Sequence, residues 1–516
     1  MPSKSKDALF LLVKSLNSNE KRQLKLLVKR NANTEDVNTL HIFDALDKMA
    51  DYDEVLLLRK VPSVKKQQLS NTKALLYKQI LSTLRSLRDE NNVQALMQEM
   101  LTQASILFNK ALYIQALKQI EKCKEIAREY HQYSYLQQAL FFEKKIEGLY
   151  ITRSIQNRAE LLTAEANKVN AILCNVNVLS NLALQLYGLY IKNGHARNEK
   201  DITSVRLFFE SNLPKLAFTN NSFYEEVYLY QCYAWYAFIR LDFLMFYRYC
   251  QKWVDLFEAY PHMITTETTM YIKGVHNLMS AHFDLLNFEK LGTTIKSFKK
   301  FAQTKLVQDN DNNRVTAYVY LYTAVINLHF LEGDFKKGIK MVPYLEEMLV
   351  QHEKYLDRHR VMVFYYKIAC LYFGSGDYGN AVDYLNRIIH QKDDLRTDLQ
   401  CYSRLLHLIA HYELGNYDLI EYLIKSVYRY MAKMDNLTKV EEAIFGFLKK
   451  AFQFDQQSVK KEFLKLHSRL IKFQENKLES RAFAYLDIIS WLESKMYNKN
   501  VQDIVREKYL RKRRGE

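Results

Sequence analysis

A corner motif recurs three times in the C-terminal half of the chain. The segments HFLEGDFKKGIKMV, YFGSGDYGNAVDYL and HYELGNYDLIEYLI share one order: a polar-tipped ring, Gly, Asp or Asn, an aromatic residue, and then a helical pattern. Glycine accepts positive φ at little steric cost, so Gly333, Gly376 and Gly415 can each close a tight turn between two helices. The recurrence predicts an array of helical pairs.

The middle copy contains GSGDYG, which also matches the G-x-G-x-x-G pattern of nucleotide-binding loops. Such a loop follows a strand and opens a βαβ unit. The preceding run, RVMVFYYKIACLYF, aligns with two other predicted helices and is therefore predicted to be a helix. We expect Gly376, Asp377 and Tyr378 to form a helical corner here, with no cofactor. Because no P-loop or G-x-S-x-G motif occurs either, the chain is predicted not to be an enzyme.

Composition indicates the same fold class. Only 13 Gly and 5 Pro occur among 516 residues, whereas average usage is about 7% and 5%. Sheets joined by tight turns need more of both residues. We predict an all-α protein with a helical cap over residues 1–92, helical repeats over 93–435, and C-terminal helices with a basic tail over 436–516.

The best copy of the motif resembles the tetratricopeptide repeat, a helix–turn–helix unit that stacks into a superhelix. The matching residues lie on the first helix, at the corner and on the second helix: Tyr365, Ile368, Ala369, Tyr372, Gly376, Asp377, Tyr378, Ala381 and Leu385. In the preceding copy Gly338 takes the small position of the second helix. The resemblance implies a right-handed solenoid of antiparallel helical hairpins, in which each corner aromatic packs beneath the next pair.

The match weakens toward the N-terminus. Looser copies contain Tyr113, Asp242 and Asn287, and corner-to-corner spacings from residue 241 to 415 run from 39 to 47 residues, against about 34 in the family. Bulky Phe246 and Leu291 stand where the family has a small residue. Pro343 falls inside a predicted second helix. The resemblance is clear for residues 318–430 and weaker for 95–300, and the N-terminal segment is similar to uncharacterised bacterial proteins of this kind, a similarity that implies no activity.

Positive charge is concentrated at the two ends of the chain. The formal charge is +16, of which residues 1–35 carry +5 (eight basic minus three acidic) and residues 456–516 carry +7 (fifteen minus eight). Localised basic regions predict local contacts with phosphate backbones or acidic protein surfaces, or serve solubility alone.

Two C-terminal segments are the candidate partner-binding regions. In SVKKEFLKLHSRLIKF, an apolar stripe at helical spacing accompanies a second stripe of cations formed by Lys461, Lys465, Arg469 and Lys472. Such a helix docks by its apolar face and presents cations on another face. Those cations either contact a partner or, as is more common for charged helix faces, are simply solvated. The tail, expected to fray, adds six more cations: Arg506, Lys508, Arg511, Lys512, Arg513 and Arg514.

Histidines recur at one repeat position and are predicted to be packing residues. His407 and His411 have the i, i+4 spacing of metal pairs, but no third ligand is recognisable. His411 also aligns with His282 and His329, so we expect these rings to pack between helices with their polar tips hydrogen-bonded. No metal is predicted.

The inner helices read as aromatic and apolar. The tyrosine-rich stretch 223–260 is interpreted as core helices, with a peptide-binding surface as the alternative. The positions that hold Lys, Asn and Arg in dicarboxylate-clamp relatives are occupied by Tyr320, Ala324, Val363, Lys367, Tyr402 and Leu406. A clamp for acidic peptide termini is therefore not expected.

Six scattered cysteines without C-x-x-C, no secretory leader and no apolar stretch of 18 residues predict a cytoplasmic location. The predicted function is a noncatalytic scaffold or adaptor that holds a segment of another protein on a concave, aromatic surface. The alternative is a nucleic-acid-associated regulator or ribonucleoprotein component that uses the basic ends.

Overall fold

The structure, a computed structural model, describes residues 7–30, 34–87, 92–149, 157–214, 221–352, 355–391, 396–434, 437–451, 456–474, 479, 483 and 487–514. Every regular element in these ranges is helical, and none is a strand. The all-α prediction is confirmed. The chain divides into two compact units, residues 1–102 and 103–516.

The first unit is a small helical core. Its helices are α1 (Ala8–Ser15), α2 (Ser18–Arg30), α3 (Thr34–Lys48), α4 (Glu54–Lys60), α5 (Lys66–Ser86) and α6 (Val93–Asn109), the unit boundary falling within α6. Asn17 and Glu20 form the predicted capping box, since each side chain accepts the other's backbone N–H, at 2.9 and 2.8 Å. Val13, Phe43 and Leu76 are fully buried and centre the core.

The second unit contains the remaining helices, most of which pack against their neighbours in the chain. They are α7 (Tyr113–Glu129), α8 (Tyr133–Leu149), α9 (Arg158–Asn193), α10 (Glu199–Asn212), α11 (Phe223–Ile239), α12 (Phe243–Ala259), α13 (His262–Thr266), α14 (Thr268–Asp284), α15 (Phe288–Ala302), α16 (Lys305–Gln308), α17 (Asp311–Glu332), α18 (Phe335–Ile339), α19 (Val342–Gln351), α20 (Arg358–Ser375), α21 (Tyr378–Ile389), α22 (Thr397–Glu413), α23 (Tyr417–Lys433), α24 (Lys439–Ala451), α25 (Gln456–Gln474), α26 (Ile488–Tyr497) and α27 (Val501–Arg514).

The predicted corners join these helices. Gly333, Gly376 and Gly415 have φ of 62°, 89° and 73°, the left-handed conformation that glycine adopts at little cost. Leu241 and Leu286, at the equivalent positions of the looser copies, have φ of 58° and 54°. The five corners therefore share one backbone geometry, although only three of them contain the glycine that makes it favourable.

The glycines of GSGDYG serve packing and the corner. Gly374 lies inside α20, and a Cβ there would come within 2.6 Å of the Phe335 ring. The Asp377 carboxylate caps α21 by accepting the Asn380 N–H at 3.2 Å. The Tyr378 hydroxyl donates to Glu413 of α22, so the corner aromatic packs on the next pair as predicted.

Small residues occur where helices approach closely. A Cβ on Gly338 would lie 2.5 Å from the Leu371 side chain, which confirms its role as the small residue of its pair. Phe246 and Leu291 are buried at the equivalent positions of earlier pairs. Pro343 does not lie within a continuous second helix: that helix divides into α18 and α19, and the proline occupies the first turn of α19.

The C-terminal tail is ordered as α27, contrary to the expectation that it would fray. This helix packs on α17 and α20 at their corners. The Arg506 guanidinium donates to the Glu332 carbonyl at 3.0 Å, and a Cβ on Gly333 would lie only 2.5 Å from the Arg506 backbone nitrogen. Lys512 donates to the Leu286 carbonyl at 3.0 Å. The tail therefore belongs to the packed structure of the second unit.

One helix in the described part of the chain, α9, is long and apolar enough to cross a membrane by length and composition. It buries Leu179, Leu182 and Leu186 in a cluster that includes Trp235 of α11. A single helix of this kind is weak evidence for a membrane span, since the core helix of a soluble protein meets the same criterion, and 28% of the apolar window of α9 is buried.

Candidate functional site

Polar side chains from four helices of the second unit converge on one recessed region. We call this set the inner cluster, and it consists of Tyr187 of α9, Lys273, His276 and Asp284 of α14, Tyr320 and Asn327 of α17, and Arg360 and Lys367 of α20. Most of these side chains are half-buried, so they are enclosed by protein and still reached by solvent. The tertiary fold thus places a charged centre among helices that are otherwise apolar.

A contact between distant helices joins the end of α9 to the start of α22. The Arg396 N–H, just before α22, donates to the Ile191 carbonyl of α9 at 3.4 Å, and its guanidinium lies 5.0 Å from the Tyr190 ring centroid. Asp398 holds that guanidinium by two bonds of 2.8 and 2.9 Å. A Cβ on Gly194 would lie 2.6 Å from the Asp398 carboxylate. The segment after α9 and the start of α22 therefore meet without space between them.

Aromatic rings form the walls of the inner cluster. The His276 and Tyr320 rings stack with centroids 3.7 Å apart and planes 9° apart. The Arg360 guanidinium donates to the Tyr320 hydroxyl, and the Lys273 Nζ lies 5.2 Å from the Tyr187 ring centroid. Lys273 therefore lies over a tyrosine ring, a geometry favourable to cations, and Arg360 is held by the Tyr320 hydroxyl.

Lys367 of the inner cluster is held by one amide oxygen and two aromatic rings. Its Nζ donates to Asn327 Oδ1 at 2.5 Å and lies within 6 Å of the Phe283 and Phe330 ring centroids. Burial lowers the pKa of Lys367 to about 8, against the raising influence of Asp284. Burial likewise raises the pKa of Asp284 to about 7, and its Oδ2 atom has no hydrogen-bond partner in the described chain. The two groups therefore titrate near neutral pH.

Burial and the positive charges of the inner cluster together lower the pKa values of the basic groups there. Burial, and then the charges of Lys367, Arg360 and Lys273, lower the pKa of His276 to about 3. Burial, and then Arg360, lower the pKa of Lys273. Lys273 has neither a hydrogen bond nor an ion pair among the described residues. The inner cluster thus contains an uncompensated cation in an enclosed setting.

The cationic stripe of α25 lies on an exposed face. Phe463, Leu466 and Leu470 of the predicted apolar stripe are buried, and Val459 and Phe473 are partly buried against the same core. All four cations are exposed: Lys461, Lys465, Arg469 and Lys472. Lys465 pairs with Glu462 at 2.5 Å, so most of the stripe's charge faces solvent.

The cations of α27 divide into two groups. Lys508 pairs with Glu493 at 2.6 Å, and Arg506 and Lys512 bond the backbone carbonyls described above, so these three hold the helix in place. The other three are exposed and have no ion-pair partner in the described ranges: Arg511, Arg513 and Arg514. Only this second group is available to a partner.

The recurring histidines are structural in two different ways. The His407 and His411 rings share a hydrogen bond between their Nε2 atoms at 3.3 Å, and Asn416 contacts His411 Nδ1 at 3.0 Å. His282 and His329 instead have Nδ1 atoms without a hydrogen-bond partner in the described chain, so the expected satisfied tip is wrong for these atoms.

One group of potential metal ligands lies at a corner. Ligand atoms of His329, Glu332 and Asp334 lie within 4.8 Å of one another. Asp334 is engaged with Lys337 at 2.5 Å, and a metal would have to displace that ion pair.

The sequence pointed to few of the inner-cluster residues. Tyr320 and Lys367 were identified at clamp positions, whereas Lys273, His276 and Arg360 lie at helix positions that carry no motif. The available signal was charge on inner helices that the sequence predicts to be mainly aromatic and apolar. No protein-family model matches the chain, and no curated protein matches it at a significant level.

Proposed function

We propose that the chain is a noncatalytic scaffold or adaptor, built as a tetratricopeptide-like right-handed solenoid, that binds an acidic partner protein in the cytoplasm. The observation that carries this proposal is the outer surface of α23 and α25. Alongside the cationic stripe of α25, α23 exposes large apolar and aromatic side chains: Tyr417, Leu419, Tyr422 and Tyr428.

These residue types suit a protein interface. Tyrosine and arginine are enriched among the residues that dominate binding energy, and surface cations speed the encounter with an acidic partner. The Tyr422 side chain is 71% exposed. Burying this aromatic ring against a partner would remove apolar surface from water and so stabilise the complex. Helix α24 packs on both α23 and α25, so one short stretch of chain presents both features.

The inner face is less suited to a partner segment than the sequence led us to expect. The residues of the inner cluster are charged as well as aromatic. Burial raises the pKa of the Cys370 thiol beside Lys367 to about 12, so this thiol stays protonated and is a poor nucleophile. These features favour a noncatalytic protein whose partner binds outside.

Site-specific photo-crosslinking in cells tests the proposal. A benzoylphenylalanine at position 422 is expected to capture a discrete protein, whereas the same group replacing Tyr497 of α26, which is 60% exposed, is expected to capture none. Replacing Lys461, Lys465, Arg469 and Lys472 with Ala should weaken the capture at position 422 while helicity by circular dichroism is unchanged. Equal capture at both positions would contradict the proposal.

Nucleic-acid binding is the second candidate, because the α25 stripe and the three free arginines of α27 are exposed cations. Phosphate contacts release counterions, so bound nucleic acid should fall steeply as salt rises. Purification at increasing salt with absorbance at 260 nm measures this directly. The control is the variant with Lys461, Lys465, Arg469 and Lys472 replaced by Ala. If this variant loses the bound nucleic acid and Tyr422→Ser retains it, nucleic-acid binding is favoured over a protein partner.

A further inference from the structure

The inner cluster has the composition of a ligand site that lacks its counterion. Lys273 of α14 lies over the Tyr187 ring of α9 and has no hydrogen bond or ion pair in the described part of the chain, and His276 Nδ1 has no hydrogen-bond partner there either. An enclosed charge without a partner is costly, and proteins normally pair such groups. Both atoms belong to one helix and are three residues apart, so they lie on the same face.

The charge balance indicates the valence of the missing group. Asp357 lies 3.3 Å from the Arg360 guanidinium, and Asp284, when ionised, offsets Lys367. Arg396 is neutralised by Asp398. The charge of Lys273 is left over, and a single negative charge compensates it.

We infer that the inner cluster binds a small free carboxylate, which Lys273 and the neighbouring Arg360 hold between the Tyr187 ring and the stacked His276–Tyr320 pair. A carboxylate supplies one negative charge and two acceptor oxygens, matching a lysine and a guanidinium. The ligand is a small molecule because the inner cluster leaves one positive charge to compensate, whereas an acidic peptide would bring several negative charges into it. This site is separate from the outer surface proposed for the partner protein.

Calorimetric titration with sodium butyrate, a carboxylate with a single negative charge, tests the inference, with ionic strength held constant by sodium chloride. Saturable binding is expected for the native chain, with the dissociation constant raised at least tenfold in Lys273→Met and largely restored in Lys273→Arg. The matched control is Lys252→Met, since Lys252 also lies over tyrosine rings, at 5.4 Å from Tyr249, but on α12 and exposed. Its affinity should equal that of the native chain.

Fluorescence of Trp235, whose ring centroid lies 4.9 Å from that of Tyr187, provides a second readout that should saturate at the same butyrate concentration. Two further probes separate the alternatives. Hexaglutamate should bind at least tenfold more weakly per molecule than butyrate, and equal or tighter binding would overturn the small-molecule assignment. Inorganic phosphate that binds more tightly than butyrate would overturn the carboxylate assignment.

Binding that does not saturate, or that Lys273→Met leaves unchanged, would overturn the site as a whole. Neither result would affect crosslinking at position 422, so the two proposals fail independently.

Discussion

The second unit contains two regions that build the same corner from different residues. Between α17 and α23 the corners use Gly333, Gly376 and Gly415, whereas at the earlier corners Leu241 and Leu286 adopt the same left-handed φ. A non-glycine residue pays about 1–2 kcal/mol for that conformation. The comparison shows that the packing of the helical pairs determines the left-handed corner, and that glycine lowers the conformational energy of adopting it.

The two regions also differ in how their helices contact one another. In the later region, Gly338 and Gly374 allow close apolar packing against Leu371 and Phe335. In the early region, the α7–α8 contact contains a buried ion pair, in which Lys124, 1% exposed, lies 2.6 Å from Glu143. A polar contact of this kind depends on both partners, which makes the α7–α8 contact more sensitive to a single substitution than an apolar contact.

The largest effect is expected from Glu143→Ala, which leaves Lys124 buried without its closest enclosed partner. Removing one member of a buried pair costs about 3–5 kcal/mol, measured as the free energy of unfolding in urea. The matched control is Glu121→Ala, because Glu121 contacts the same lysine at 2.6 Å and is 46% exposed; its loss should cost about 1 kcal/mol or less. Similar losses of unfolding free energy in both variants would show that the buried Lys124–Glu143 pair contributes no more to stability than the exposed Lys124–Glu121 pair.

The next effect is expected from Gly333→Ala. Both Gly333→Ala and Gly376→Ala introduce left-handed strain of about 1–2 kcal/mol, but only the first also forces a Cβ against the Arg506 backbone of α27. We expect Gly333→Ala to destabilise by about 3 kcal/mol in total and to increase amide hydrogen exchange in residues 501–514. If the two alanine variants unfold at the same urea concentration, α27 does not pack on this corner.

The next largest effect is a dependence of stability on pH in the native chain, which Lys367→Met should remove. The pKa of Lys367 is about 8 when folded and about 10.5 when unfolded, so between these values the unfolded chain binds more protons. The free energy of unfolding should therefore rise with pH through this window, by on the order of 2 kcal/mol. Lys367→Met should lack this rise. Parallel curves for the two proteins, measured by urea unfolding at pH 7.5–10.5, would place Lys367 in solvent.

The smallest effect is expected from Leu286→Gly, and it should be stabilising. Leu286 is 52% exposed, so its removal loses little burial, while glycine relieves the left-handed strain. The gain, reduced by the greater freedom of glycine in the unfolded chain, should be about 0.5–1 kcal/mol. Leu286→Ala, which retains a Cβ, is the control and should not stabilise. A loss of stability in the glycine variant would show that the early corners depend on their side chains.

The corner motif predicted much of the later region and little of the charged centre. Gly376, Asp377 and Tyr378 could be assigned because a left-handed turn, a cap and a packed ring are local requirements that repeat in the sequence. The inner cluster could not, because Lys273 and His276 of α14 lie far in the chain from Arg360 of α20 and become its neighbours only on folding. Similarly, nothing in the tail sequence distinguishes Arg506, which holds α27 in place, from Arg513, which is free.

By itself, the sequence determined the helical class, the positions of the corners and the apolar face of α25, because helix periodicity and the backbone freedom of glycine act over a few residues. The tertiary structure alone decided that Leu241 and Leu286 adopt the glycine conformation, that α27 packs on the Gly333 corner, and that the inner cluster contains an uncompensated lysine. The physical reason is that contact, burial and desolvation depend on neighbours distant in the chain, which no local pattern specifies.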